Sequence, residues 1–202
     1  MRFLSLLLLS FYSSVLAAAP PISFQPNKGQ TDTRVRYLSR SPQGAVFFTD
    51  SQIVFSREDA RSVSLELIGG NSAAKWEVSG PTGDQTSYKV GRDPSRWAEQ
   101  VPNYERLVRR NVYPGIDAAW HAANQRLEYD FRLAPYADPR RIRLRVKGAQ
   151  RVYITREGEL VISSNGRDIR QHKPVIYQTA VDGSRTQVNG CLLYTSPSPR
   201  DS

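Results

Sequence analysis

The sequence predicts an all-β chain, an antiparallel β-sandwich of about a dozen short strands with at most one or two helical turns. Three observations carry that expectation. Apolar and charged residues alternate with a period of two. In RIRLRVKG, Ile142, Leu144 and Val146 fall on one face and Arg141, Arg143, Arg145 and Lys147 on the other. In LEYDFRL, Leu127, Tyr129, Phe131 and Leu133 face one way and Glu128, Asp130 and Arg132 the other. Strands of this kind have one dry and one wet face, as antiparallel sheets packed on a core do. The strand-like runs are also short and divided by turn residues, and patterns of helical period are nearly absent.

Residues 1–17 read as a signal peptide. Arg2 gives a cationic start, residues 3–16 are mainly apolar, and Val15 and Ala17 stand where a signal peptidase accepts small or aliphatic side chains. Cleavage is expected after Ala17 or Ala18. The apolar run of about fourteen residues falls short of the roughly 20 that a membrane-crossing helix needs. The expected product is secreted or held at the cell surface, with no membrane span after cleavage.

Residues 18–34 are expected to form an irregular lead-in, and residues 35–190 a single β-sandwich domain. Strand character appears in VRYL, AVFFT, QIVFS and VSLELI, then in WEV, SYKV, IDAAWH, LEYDFRL, IRLRV, VYIT, LVIS, DIRQ and PVIYQ. The connections SPQG (41–44), IGGN (68–71), SGPTGD (79–84), REGE (156–159), SNGR (164–167) and VDGS (181–184) carry turn chemistry. REGE and SNGR predict consecutive hairpins. DPSRWAEQ (93–100) and ADPRR (137–141) each predict one helical turn, with Asp as cap and Pro at the first helical position.

The formal charge is +9, carried by 23 Arg and 5 Lys against 19 acidic residues. The arginines are spread along the chain, with no basic patch interleaved by aromatics, so specific nucleic-acid binding is not expected. A polyanion partner for the Arg-rich strand faces, Arg141, Arg143 and Arg145 above all, stays open as an alternative. The one cysteine, Cys191, lies in the terminal tail, so the domain is expected to hold together without disulfides.

No residue pattern points to catalysis, a cofactor or a metal. His121 and His172 stand apart from each other and from any metal-type spacing, and are expected to be loop or edge histidines. Glu128 and Asp130 share a strand face, where two carboxylates can hold one proton or flank a sugar bond. The same spacing is also that of a solvated face whose carboxylates pair with neighbouring arginines. Trp76, Trp97 and Trp120 could stack on sugars or fill the core. No nucleophile elbow, phosphate loop or dinucleotide fingerprint occurs.

Several stretches together resemble one family. NVYPGID (111–117), RLEYDF (126–131) and APYADPRRIRL (134–144) carry the likeness at the centre, with YKVGRDPSRWAEQVPNY (88–104) before them. QPNKGQTDTRVRYLSR (25–40) and KPVIYQ (173–178) extend it to both ends. From about residue 24 to about residue 190 the chain resembles the amino-terminal domain of bacterial SBBP-repeat (β-propeller repeat) exported proteins. The resemblance implies a β-sandwich module of unassigned function at the front of a long exported protein. Repeats predicted to form propeller blades follow such a module. The repeats of the same parent chain, or a glycan or protein surface, are the partners it suggests.

Residues 191–202, CLLYTSPSPRDS, change character. The first eleven back-translate into a run that resembles, base for base, a transposase-based sequencing adapter, so this tail is expected to be non-native and the parent chain to continue differently beyond Gly190. The function expected from the sequence is therefore that of a non-catalytic structural or interaction module, a fragment of a longer protein. One alternative is a carbohydrate-active enzyme or glycan-binding module using Glu128 and Asp130, which requires those carboxylates to sit in a concave pocket. The other is polyanion binding, which requires the arginines to form one patch.

Overall fold

Residues 21–41, 44–57, 60–123 and 125–195 are described by the structure, a computed structural model. The expected signal peptide and residues 196–202 of the expected tail lie outside them. The chain is all-β. Five strands run as a meander: β1 (Gln25–Pro26), β2 (Val35–Ser41), β3 (Gly44–Thr49), β4 (Gln52–Arg57) and β5 (Ala60–Leu67). The chain then crosses to a second meander of β6 (Trp76–Tyr88), β7 (Ala98–Tyr113), β8 (Ile116–Ala123) and β9 (Arg126–Leu133). It returns as β10 (Leu144–Lys147), which pairs antiparallel with β5 and completes a six-stranded sheet. A three-stranded sheet follows, β11 (Arg151–Ile154), β12 (Leu160–Ser164) and β13 (Arg167–Gln171), and then a hairpin, β14 (Ile176–Thr179) and β15 (Arg185–Val188).

The six- and four-stranded sheets face each other across one core. Phe48, Ile53 and Leu67 from the first sheet meet Leu107, Val112, Ile116, Ala118 and Trp120 from the second, with Phe24 between them. Burying such side chains contributes roughly 1.5–3 kcal/mol each and is the main force holding the layers together. Beside it, Val63 and Leu65 of β5 pack on Ile162 of β12, so the three-stranded sheet covers the far end of the same face.

Local chemistry explains the elements. Asn165 and Gly166 both have positive φ, 48° and 72°, in the two-residue loop between β12 and β13; this is the type I′ turn whose twist matches the flanking strands. The two expected helical turns are single 3-10 turns, Pro94–Arg96 and Pro139–Arg141, capped by the side chains of Asp93 and Asp138.

Four expectations need correction. The lead-in is not irregular throughout. Gln25–Pro26 pairs with Leu38 and Tyr37, and Phe24 bridges Tyr104 and is fully buried. Gln25 is anchored by its amide, which donates to Asn103 Oδ1 at 2.6 Å and Thr86 Oγ1 at 2.9 Å. SGPTGD is no hairpin turn: β6 runs through it, and its turn residues form an irregularity between Pro81 and Gln85. Leu133 is 40% exposed rather than inward-facing, because it ends an edge strand. Leu127, Tyr129, Phe131, Ile142, Leu144 and Val146 do face the core, yet they are only half-buried, since β9 and β10 are both sheet edges.

Candidate functional site

A groove of about 450 Å³ opens at one end of the sandwich. β2 supplies Arg36 and Tyr37, the turn after β3 supplies Asp50, the loop before β6 supplies residues 72–75, and β6 begins with Trp76. Tyr37 and Trp76 lie 6.0 Å apart between ring centroids, tilted by 50°. Behind them Trp76 packs on Phe48 and Trp120, at 6.2 and 5.7 Å. The groove floor is thus the edge of the aromatic core.

A buried cation fixes the walls. Arg109 of β7 is only 2% exposed and lies over the Trp76 ring at 5.0 Å. Its Nη2 donates to the carbonyl oxygens of Asp50, Asn71 (2.9 Å) and Ser72 (3.1 Å), tying the β3–β4 turn to the β5–β6 loop. Burial pulls the Arg109 guanidinium below its ordinary pKa, partly countered by the nearby Asp50 carboxylate. The carbonyls replace part of the water it lost, at Nη2, while its Nε is buried without a hydrogen-bond partner.

Asp50 is the hub above it. Its Oδ2 accepts from Arg36 Nε at 2.9 Å and Nη2 at 2.7 Å, and its Oδ1 from Trp76 Nε1 at 3.1 Å. The Arg36 hydrogen bonds hold the Asp50 carboxyl below the usual carboxylate range. Lys75, on the opposite lip, is exposed and makes no ion pair among the described residues. Arg36 therefore holds the Asp50 carboxylate, and the Lys75 charge stands without an ion-pair partner among the described residues.

The residues singled out from the sequence lie elsewhere. Glu128 and Asp130 stand on the outer face of β9, with side chains 51% and 47% exposed, and line neither this groove nor a second one near Arg110. Between them sits His121, whose Nε2 is 3.8 Å from Glu128 and Nδ1 3.6 Å from Asp130, longer than hydrogen bonds. His121 is no loop or edge histidine: it lies on β8, between β7 and β9, opposite Glu128. No group of three His, Cys, Asp or Glu placed to hold a metal occurs among the described residues.

His172 lies beyond β13, its Nδ1 2.7 Å from Glu159 and its Nε2 3.0 Å from Arg126 Nη1. The tryptophans form no shared platform. Trp120 is buried, Trp76 borders the groove, and Trp97 stands apart under Lys89. Arg145 and Lys147 converge on Glu66, at 3.7 and 2.8 Å, so the basic strand face is partly neutralised.

The stretch NVYPGID is a folding device. Pro114 and Gly115, with φ +70° at the glycine, turn β7 into β8 between the paired Tyr113 and Ile116. Asp117 accepts from the Asn111 amide at 2.8 Å and Arg110 Nη1 at 2.7 Å, pinning the irregular strand end. Tyr113 donates its hydroxyl to the Arg143 carbonyl at 3.2 Å, in the segment that leads into β10 of the other sheet.

Fold and surface together define an all-β module of facing antiparallel sheets with a preformed groove at one end. The chain belongs to the family described as Domain of unknown function (DUF7948), whose model matches residues 24–192. No curated protein and no solved structure matches it.

Proposed function

We propose that this domain is a non-catalytic interaction module at the front of a larger secreted or cell-surface bacterial protein, and that it engages its partner through the Tyr37–Trp76 groove. The observation that supports this best is the Arg109 tie. One buried guanidinium holds both loops that form the walls, so a partner meets a surface already ordered. Glu128 and Asp130, the residues an enzyme reading would use, stand on an open sheet face beside His121. The charge pairing at Glu66 likewise weakens a polyanion reading of the β10 face.

Two substitutions separate these possibilities in a binding screen of the secreted protein against glycans and against repeats of the parent chain. Lys75→Glu is expected to abolish the interaction and Glu128→Gln to leave it intact. The opposite pattern would move the site to the outer face of the four-stranded sheet. Export has its own check: amino-terminal sequencing of secreted material is expected to start at Ala18 or Ala19, and a retained leader would remove that part of the proposal.

A further inference from the structure

We infer that the groove takes a carboxylate-bearing sugar ring, a uronic acid unit of an acidic polysaccharide, with Lys75 and Arg36 facing its carboxylate; the ligand class rests on this groove being the binding surface. The inference comes from which groups are spent and which are free. Both carboxylate oxygens of Asp50 are occupied, one by Trp76 Nε1–H and the other by Arg36. Asp50 keeps one acceptor position, on Oδ1, but its charge is already matched by Arg36, which leaves the Lys75 charge in excess.

The donors are in surplus. Arg36 uses Nε and Nη2 on Asp50, which leaves Nη1, and its side chain is 54% exposed. Lys75 keeps all three of its N–H donors, among the described residues. A ligand that satisfies these groups brings acceptors and a negative charge. The aromatic wall asks for something more. Tyr37 and Trp76 line the groove and are half-buried, so the parts of their rings left uncovered give apolar contact to the C–H groups of a sugar, which a bare inorganic anion lacks. The volume of about 450 Å³ falls in the roughly 300–1,000 Å³ range of ligand sites.

The test is calorimetric titration of the full secreted chain with an oligogalacturonate. Its fully methyl-esterified form, a neutral oligosaccharide of equal length and adenosine monophosphate serve as comparison ligands. Binding is expected for the free acid only. Lys75→Ala should weaken it roughly tenfold or more, the loss of one charge-assisted hydrogen bond, and Lys75→Arg should restore most of it. Lys75 is exposed and makes no ion pair among the described residues, so these variants fold like the parent. Arg143→Ala, just before β10 and outside the groove, should change nothing.

Equal binding of the esterified or neutral oligosaccharide would overturn the uronate assignment while leaving the groove as a glycan site. Equal binding of the nucleotide would overturn the sugar assignment. Loss of binding in Arg143→Ala to the same degree as in Lys75→Ala would reduce the effect to general charge attraction and overturn the site. If no saccharide binds while a protein partner is lost on Lys75→Glu, the ligand class fails and the interaction groove stands.

Discussion

The Trp76 end of the sandwich and the terminal hairpin are built from similar short strands, and they show how differently such strands can be held. Around Trp76, each strand has a covered face: Phe48, Trp120 and Phe24 are almost wholly buried, and even a guanidinium is enclosed. In β14 and β15 the pairing is just as regular, Ile176 with Val188 and Tyr177 with Gln187. Yet Val175, Ile176 and Tyr177 are exposed by 74, 39 and 46%, and an Arg185 guanidinium over the Tyr177 ring at 4.5 Å stands in for a core. A two-stranded hairpin on its own is marginal in water. Backbone pairing makes a strand; a second layer makes it stable.

The largest effects should therefore fall on one side of that comparison. Phe48→Ala is expected to cost about 3–5 kcal/mol, the usual range for a fully buried aromatic. Phe131→Ala, on the half-buried edge strand, should cost about 2 kcal/mol, less than its core-facing position in the sequence suggests. Tyr177→Ala in the hairpin should stay within about 1 kcal/mol. Urea denaturation measures all three, and equal costs for Phe48 and Tyr177 would break the distinction.

Arg109→Met comes next. It keeps length and removes the donor that the carbonyls of Asp50, Asn71 and Ser72 share, although Asn71 keeps the Ala74 amide. A loss of about 2 kcal/mol is expected, because hydrogen bonds from a charged donor contribute about 1.5–3 kcal/mol and water reaches the freed carbonyls. Arg185→Met, which also removes a cation from an aromatic ring, should change stability by less than about 0.5 kcal/mol.

An alkaline titration sharpens the junction between sheets. Tyr129 of β9 donates its hydroxyl to Gln171 of β13 at 2.7 Å, and burial pushes its pKa up from 10.0 to about 12. Burial disfavours the phenolate, so the folded state keeps a proton that the unfolded chain gives up. The stability this adds is full below pH 10 and is lost as pH rises toward 12. Denaturation midpoints across that window should fall in the parent and fall less in Tyr129→Phe. Identical slopes would show that Tyr129 ionises as an exposed tyrosine does.

Much of the architecture was legible. Alternation in LEYDFRL and RIRLRVKG assigned the faces of β9 and β10, and Asp-Pro marked both helical turns, because these signals depend on neighbouring residues alone. Depth of burial was not legible. Leu133 reads like Phe131 until the sheet edge is known. β6 ran through Gly80, Pro81 and Gly83 because the long neighbour β7 carries it past the irregularity. The groove was the least visible feature. Arg109 sits in RLVRRNVY as one charge among several, and its enclosure depends on carbonyls about forty and sixty residues away. Glu128 and Asp130 were conspicuous because they are close in sequence, whereas Asp50, Trp76 and Arg109 are close only in the fold.

The smallest expected effect belongs to the chain end. Residues 191–195 form no strand, Leu193 and Tyr194 are exposed by 88 and 44%, and only Leu192 is half-buried. Pro197 and Pro199, outside the described residues, lack the backbone donor that a sheet interior needs. A partly covered leucine contributes at most about 1 kcal/mol, which in a chain of this size moves the melting temperature by about 2–4 °C. Deleting residues 191–202 should stay within that shift. Removing the hairpin as well, by ending the chain at residue 173, should add little, since β14 and β15 contribute no residue to either core cluster. Thermal unfolding of the two truncations decides the matter. A fall of about ten degrees or more in the shorter one would mean that the hairpin, against the contrast with the Trp76 end, holds the sandwich closed.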